Sequence, residues 1–360
     1  MRRIGVLMGG ESQERDVSRV TGTAVAKALA ERGFDVMLLD TAEGLRPIEA
    51  PIRDAAEGSP AIGAAPPARA VRPADSTGVQ SVQAFAASLV DVDAVFIALH
   101  GGWGEDGTIQ ALFEMLDVPY TGSGVLGSAL AMDKDRAKRV MRASGIPTPD
   151  WEVVQVRSHG TVDPAEVRRV RESLPGVVIV KPNAEGSTVG LRQVGPGEDL
   201  REAIEFAAGF GDRVLVEEFI PGRELTVAVL GEEALPVVEI IPEGGLYSYE
   251  AKYTQGRSRY EVPAQLPAAL TEELARLSIG VFHALGLEGF ARVDYRLNDA
   301  GQPFCLEANT IPGMTPLSLV PMAAKANGLS FGELVERIVE LGVARGTKRS
   351  RSNPDLEVQR

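Results

Sequence analysis

The sequence predicts a mixed fold, α/β at its start and α+β towards its end, and three stretches carry that prediction. The apolar run Ile4 to Met8, the pair Gly9-Gly10, a helix-patterned segment and a second apolar run at Val36 to Leu39 give the strand–turn–helix–strand order of an open parallel sheet. Val177 to Lys181 is an apolar strand that runs into the glycine-containing loop Glu185-Gly186-Ser187-Thr188-Val189-Gly190. Ala291 to Asp294 and Leu306 to Asn309 flank Asn298-Asp299-Ala300-Gly301 and read as a β-hairpin.

The remaining elements follow from pattern and punctuation. A helix from about Val17 to Arg32 is stopped by Gly33. Residues 41–80 are rich in Ala, Pro and Gly, which reads as a flexible insertion with no function attached. Val92 to Leu99 is a third buried strand, ending at His100-Gly101-Gly102. A helix from about Asp133 to Ser144 closes at Gly145, with Pro147 just beyond. Strands are expected near Val214 to Glu217 and Glu224 to Val229, then a helix near Thr271 to Leu285 and a last one from about Phe331 to Val343. The expected domains are 1–122, with the insertion, 123–219 and 220–345, followed by a disordered basic tail over 346–360.

Composition narrows the function. A net charge of −13 with no compensating basic domain argues against a nucleic-acid partner. No apolar run reaches the roughly 18 to 20 residues that span a membrane, and Met1 to Met8 lacks the core and cleavage site of a signal peptide. The single cysteine, Cys305, excludes an internal disulfide, and the expected location is the cytoplasm.

Several segments could carry chemistry. If Ala300 and Gly301 centre the hairpin turn, Asp294 lies opposite Glu307 and Arg292 opposite Asn309. That face is either a solvated charged surface or a set of hard oxygen donors for magnesium that also holds phosphates. Lys181, before Pro182, either snorkels to solvent or aims at a ligand. The loop after it offers backbone amides and the hydroxyls of Ser187 and Thr188, although no Walker A loop is present. Gly9-Gly10 is a plain turn or leads to a helix start near Glu14 and Ser18 that could meet the polar end of a small substrate. A serine-hydrolase reading of Ser187 fails for want of a Gly-x-Ser-x-Gly elbow. Among His100, His159 and His283 only His100, ahead of its glycines, draws attention; His283 reads as structural. Lys252-Tyr253, near Gly256, Arg257 and Arg259, is a covering loop or a solvated one.

In this order the pieces resemble the D-alanine–D-alanine ligase family of ATP-grasp enzymes, which make peptidoglycan precursors. The resemblance runs from Ile4 to about Gly342 and breaks mainly at the insertion and the tail. It rests on Gly9-Gly10 through Glu14 to Ser18, His100-Gly-Gly-Trp-Gly-Glu-Asp-Gly107, Tyr120-Thr-Gly-Ser-Gly124 and Met132-Asp-Lys134. It continues through Lys181-Pro to Gly190, Glu250-Ala-Lys-Tyr253 and Glu307-Ala-Asn-Thr-Ile-Pro-Gly-Met314.

The resemblance implies a three-domain ATP-grasp fold, with ATP between the central and C-terminal domains, and ligation of two D-alanines through a D-alanyl phosphate. It places Lys134 and Lys181 at the ATP phosphates, and Glu217, Glu218, Ile220 and Glu224 around adenine and ribose. It makes Asp294, Glu307 and Asn309 ligands of two magnesium ions, for which manganese is an expected substitute. Arg292 is expected to meet the reaction's developing negative charge more than to serve as a counter-ion of the carboxylates. Glu14 would grip the first D-alanine's ammonium, with Ser187 and Tyr253 completing a hydrogen-bonded triad and His100 nearby. Lys252, Gly313, Ser318 and Leu319 would bind the second D-alanine. A homodimer is a family expectation only.

Glu218 stands where some relatives carry lysine, which weakens a side-chain role at adenine, and Ile311 occupies a variable position. Tyr253 agrees with the D-alanine-using branch. Two other readings stay open: a ligase that takes D-lactate or D-serine second, and a nucleotide-binding sensor without catalysis. The set Lys181, Arg292, Asp294, Glu307 and Asn309 argues against the sensor, since a mere binder has less need of the arginine.

Overall fold

The structure, a computed structural model, describes residues 2–10, 12, 14–40, 46–47, 85–156, 160–243 and 258–352. Its first sheet contains β1 (Arg3–Met8), β2 (Asp35–Asp40), the two-residue β3 (Arg46–Pro47) and β4 (Ala94–Ile97), in the order β3-β2-β1-β4. β1 pairs in parallel with both β2 and β4, as the strand–turn–helix–strand pattern predicts. Helix α1 (Arg15–Glu31) crosses over on one face, so β1 is buried on both sides and reads as a continuous apolar run. The insertion lies outside the described residues, apart from β3.

Three helices lead into the middle of the chain: α2 (Thr108–Met115), α3 (Val125–Met132) and α4 (Lys134–Ala143). Asp133 caps α4 by accepting from the Arg136 N–H at 3.1 Å. The second sheet comprises β5 (Trp151–Gln155), β6 (Val178–Pro182), β7 (Arg192–Val194) and β8 (Arg213–Glu218), all antiparallel, in the order β5-β8-β6-β7. Val154, Val180 and Val216 bury one face against α5 (Pro164–Ser173) and α6 (Leu200–Ala208). The other face keeps Lys181 and Glu217.

The third sheet is antiparallel, in the order β12-β11-β9-β13-β14, with β10 (Glu233–Ala234) beside β9 (Arg223–Leu230). Its other strands are β11 (Val238–Pro242), β12 (Ser258–Glu261), β13 (Phe290–Leu297) and β14 (Pro303–Asn309). Val293 and Tyr295 point into a core roofed by α7 (Ala268–Ala284), where the Tyr295 hydroxyl meets Ser278 Oγ at 2.9 Å. Alternation then turns Arg292, Asp294 and Arg296 to the opposite face. Cys305 is fully buried, as packing requires, and burial raises its thiol pKa.

The hairpin register is the predicted one at its functional end, with Asp294 opposite Glu307 and Arg292 opposite Asn309. Near the turn, however, Tyr295 pairs with Cys305 and Leu297 with Pro303, one residue out of step. Asn298 and Gln302 close a loop of three residues, one longer than a turn centred on Ala300 and Gly301, and the Asn298 side chain accepts from the Gln302 N–H at 2.9 Å. A β-bulge at Leu306 restores the register. Both Leu306 and Glu307 therefore line the same cavity.

The chain ends in α8 (Leu319–Ala326) and α9 (Phe331–Ser352). α9 continues past the expected stop at Val343, into the segment expected as a disordered tail. Arg345 fixes that extension: its guanidinium lies 3.8 Å from the Tyr120 ring centroid and donates to the Tyr120 carbonyl at 3.1 Å. One helical turn earlier, a Cβ on Gly342 would fall 2.6 Å from the same carbonyl, so only glycine permits the contact.

Candidate active site

The second and third sheets flank a cavity open to solvent on one side. Lys134, Lys181, Glu217, Glu218, Ile220 and Glu224 all line it, together with Asp294 and Glu307. The apolar wall comes from Ile179, Phe219 and Leu306, none of them anticipated as site residues. Leu306 was hidden by the bulge, since strict alternation points it away.

Charge is organised in pairs around this cavity. Lys181 Nζ lies 2.5 Å from Glu217 Oε1, and Lys138 Nζ lies 3.1 Å from Glu217 Oε2. Burial lowers the Lys181 pKa, but Glu217, Glu307 and Asp294 outweigh it and hold the ammonium above its ordinary value. Burial likewise opposes ionisation of Glu217, yet Lys181 and Lys138 keep its pKa below the ordinary carboxylate range. Lys134 bridges two walls: it donates to the Glu185 carbonyl at 2.7 Å and stands 3.3 Å from Glu307 Oε2. Glu224 is 3.3 Å from Arg296, which also donates to the Ile220 carbonyl at 3.0 Å.

Asp294 is held from two sides. Arg292 forks onto it through Nε and a terminal nitrogen, each at 2.8 Å, and Thr226 Oγ1 donates to Oδ1 at 2.6 Å. The arginine expected to act as other than a counter-ion is thus, in this state, the bidentate partner of Asp294. Asn309 Oδ1 accepts from the Ile311 N–H at 3.0 Å, which fixes the amide and leaves that oxygen a second lone pair. Asp294, Glu307 and Asn309 therefore stand on adjacent strands as oxygen donors. Among the described residues no three His, Cys, Asp or Glu side chains form a self-sufficient metal cage. Such a partial donor set suits magnesium, which is commonly held by one or two carboxylates plus substrate phosphates.

The second cluster lies where the first sheet meets the glycine loop. Ser187 Oγ donates to Glu14 Oε1, joining residues far apart in sequence. Gly186 allows the approach, since a Cβ there would sit 2.9 Å from Glu14 Oε2. Ser187 and Thr188 both adopt positive φ, 46° and 63°, an uncommon backbone state for non-glycine residues and a rare one for a β-branched side chain. His100 is buried, meets Thr21 Oγ1 at 3.1 Å and hydrogen-bonds the Ile311 backbone; burial lowers its pKa despite nearby Glu14. Ser18 is not at this site. It ties the Gly9 N–H to the Ala98 carbonyl, at 2.8 and 2.6 Å.

Gly313 and Ser318 come together, a Cβ on Gly313 falling 3.2 Å from Ser318 Oγ. Ser318 precedes α8 and Leu319 opens it, so an anion there would face a helix N-terminus. Lys252 and Tyr253 lie outside the described residues, as does His159. His283 sits on the surface, 2.8 Å from Glu232.

Glu105 is the residue at this end that sequence reasoning passed over, although it stands inside the His100–Gly107 motif. It is buried, and its Oε2 accepts from the Gly101 N–H at 2.7 Å. Burial first, and the Glu14 charge second, push its pKa up to about 8. The folded protein thus holds a proton on Glu105 that the unfolded chain releases near 4.5. Native stability from this group is present below the unfolded value and falls as pH rises towards 8. Glu105→Gln removes that loss, so the variant's Tm should gain on wild type between pH 5 and about 8 and keep a constant lead above it. Parallel melting curves over that range check it; a pH-independent difference contradicts it.

The comparisons with known proteins agree with this geometry. A family model described as D-ala D-ala ligase N-terminus matches residues 3–123, and one described as D-ala D-ala ligase C-terminus matches 140–340. A D-alanine--D-alanine ligase from Bordetella petrii is 44% identical over 94% of this chain and 91% of its own length. One from Aquifex aeolicus is 43% identical over 94% and 99%. The crystal structure of the Bacillus anthracis ligase complexed with ATP superposes with TM-score 0.73 at 28% identity, covering 97% of this chain and 99% of that one. The VanG D-Ala:D-Ser ligase of Enterococcus faecalis gives TM-score 0.76 at 29% identity, over 94% and 99%.

Proposed function

Because the chain belongs to the D-alanine–D-alanine ligase family, of ATP-grasp fold, we propose that it joins two D-alanines at the expense of ATP, through a D-alanyl phosphate. The observation that carries this reading is the convergence of both clusters: Lys134 reaches the carbonyl of Glu185, next to Gly186 and Ser187, and the carboxylate of Glu307. A nucleotide cavity and a small-substrate cluster thereby share one wall. ATP would lie in the cavity, its phosphates against Lys134 and Lys181, with Glu217, Glu218, Ile220 and Glu224 at the nucleoside end.

A carboxylate does not condense with an amine in water unaided, so the first D-alanine must be activated. Glu14, oriented by Ser187, would hold its ammonium and aim its carboxylate at the γ-phosphorus. The carboxylate oxygen attacks there and ADP departs, a step governed by positioning and charge neutralisation. Asp294, Glu307 and Asn309 would hold magnesium, one or two ions with manganese as a substitute, which supplies neutralisation of phosphate charge when bound. The second D-alanine, its carboxylate held near Gly313, Ser318, Leu319 and Lys252, presents an amine to the acyl carbon. A tetrahedral oxyanion forms beside Arg292, phosphate leaves with the cleaved acyl–oxygen bond, and the amine loses its proton. Lys252 and Tyr253 would close over the acyl phosphate and keep water out.

D-alanine as second substrate is favoured over D-serine or D-lactate because the relatives at 44% and 43% identity carry the D-alanine--D-alanine name, whereas the D-Ala:D-Ser likeness is at 29%. Domains at 1–122, 123–219 and 220–345, a homodimer and a cytoplasmic location complete the proposal. Among the described residues no helix is long and apolar enough to cross a membrane.

The test is phosphate release with product identification. Phosphate should appear only when D-alanine and ATP are both present, with D-alanyl-D-alanine as product. Preference for D-lactate at neutral pH would defeat the acceptor assignment, and no D-alanine-stimulated release would revive the sensor.

A further inference from the structure

Helix α4 carries Lys134 and Lys138 four residues apart, on one face. Lys134 lines the nucleotide cavity; Lys138 stands behind Glu217, 0% exposed. A wholly buried ammonium is costly to desolvate and is tolerated only when its donors are satisfied. One hydrogen bond and two electrostatic contacts compensate it here. Thr148 Oγ1 accepts at 2.6 Å, Glu217 Oε2 lies at 3.1 Å, and the Trp151 ring centroid is 5.2 Å away. Of these, only Glu217 lines the cavity and meets the nucleotide in the proposed mechanism; Thr148 and Trp151 touch no substrate.

The consequence falls on Glu217. With Lys138 at Oε2, its other oxygen, Oε1, is the one engaged by Lys181 at 2.5 Å. Two ammoniums against one carboxylate leave a net positive charge, and Lys181 is the member of the trio that lines the cavity with Glu217. Were Lys138 absent, Glu217 would be a buried carboxylate with one counter-ion. Lys181 would have to serve both oxygens, its charge would be cancelled, and its ammonium would be drawn from the cavity. Lys138 could be replaced in shape by methionine, so its charge needs another explanation than packing.

We propose that Lys138 is a positioning residue for nucleotide binding: by occupying the second oxygen of Glu217, it keeps the Lys181 ammonium directed at the phosphates. The inference rests on the reading that ATP occupies this cavity. Thr148, on the loop between α4 and β5, anchors Lys138 and so belongs to the same device.

The experiment is calorimetric titration of the full chain with magnesium–ADP, paired with steady-state kinetics. Wild type must bind first; if it does not, the ATP-site reading fails, and this inference with it. Where wild type binds, Lys138→Met should raise the ADP Kd and the ATP KM about tenfold. Turnover at saturating ATP and the KM for D-alanine should stay within about twofold, and Lys138→Arg should recover part of the affinity. The double variant Lys138→Met/Glu217→Gln should bind ADP more tightly than Lys138→Met alone, because removing the carboxylate releases Lys181. Wild-type ADP affinity in Lys138→Met overturns the proposal, as does an equal rise in both KM values, which marks general structural damage. If Lys138→Met does not fold, Thr148→Val decides: about threefold weaker ADP binding with an unchanged KM for D-alanine supports the proposal, and unchanged affinity overturns it.

Discussion

A Glu307→Gln variant should melt like wild type and lose turnover by about a hundredfold or more, because a metal ligand at a phosphoryl-transfer site supplies several kcal/mol. The two halves of that expectation have separate structural grounds. Glu307 is on the bulged strand β14, its side chain 29% exposed, and its ion-pair contact is Lys134 at 3.3 Å. Lys134 is buried, but it keeps the Glu185 carbonyl as acceptor at 2.7 Å, so neutralising Glu307 does not leave the ammonium without a hydrogen bond. What fixes the strand is the opposite face, where Cys305 and Ala308 are buried in the α7 core, together with the backbone ladder to β13. Glutamine keeps the shape and hydrogen-bonding capacity of glutamate and removes only the charge. Circular dichroism melts, turnover and a magnesium titration measure the two halves. The metal requirement should rise along with the fall in rate. A globally unfolded variant would make Glu307 structural, and full activity at wild-type magnesium would remove it from the metal site.

Much of this site is readable in the sequence because its residues are fixed by local rules. Alternation alone turns Arg292 and Asp294 to one face, and the register that sets them against Asn309 and Glu307 follows from the position of the turn. The register at the functional end is the expected one although the turn is one residue longer than expected, because the bulge at Leu306 absorbs the offset. The same bulge concealed Leu306 as a cavity wall. Residues that act across long sequence distances were less accessible. Glu105 becomes notable only when folding brings it beside Glu14, and Lys138 only when β8 places Glu217 over α4. Neither carries a pattern of its own, although Lys138 repeats Lys134 at helical spacing. The end of α9 is hidden in the sequence for a similar reason. A run of basic residues reads as a solvated tail, and its anchor, Arg345 over Tyr120, joins segments 225 positions apart.

Arg292→Met should lower turnover by on the order of a hundredfold or more, about 3 kcal/mol, while leaving ADP affinity and the magnesium requirement close to wild type. The alternative is that Arg292 serves only as the counter-ion of Asp294, and the fork at 2.8 Å makes that a serious competitor. The two roles separate because Asp294 has a second restraint. Thr226 Oγ1 donates to Asp294 Oδ1 at 2.6 Å and also reaches the Val293 carbonyl at 3.2 Å, so the carboxylate keeps its orientation when the guanidinium is gone. A pure counter-ion role would then show as an altered metal affinity, in the manner of Asp294→Asn, with turnover recovered at saturating magnesium. A role at the developing oxyanion would show as a rate loss that no excess of magnesium repairs. Donor chemistry favours the second, since a guanidinium carries five N–H groups and the fork onto Asp294 uses two. A planar fork is the donor best matched to a tetrahedral acyl phosphate adduct, and lysine cannot reproduce it, so Arg292→Lys should resemble Arg292→Met more than wild type. Full turnover in Arg292→Met at high magnesium would return the arginine to the role of counter-ion.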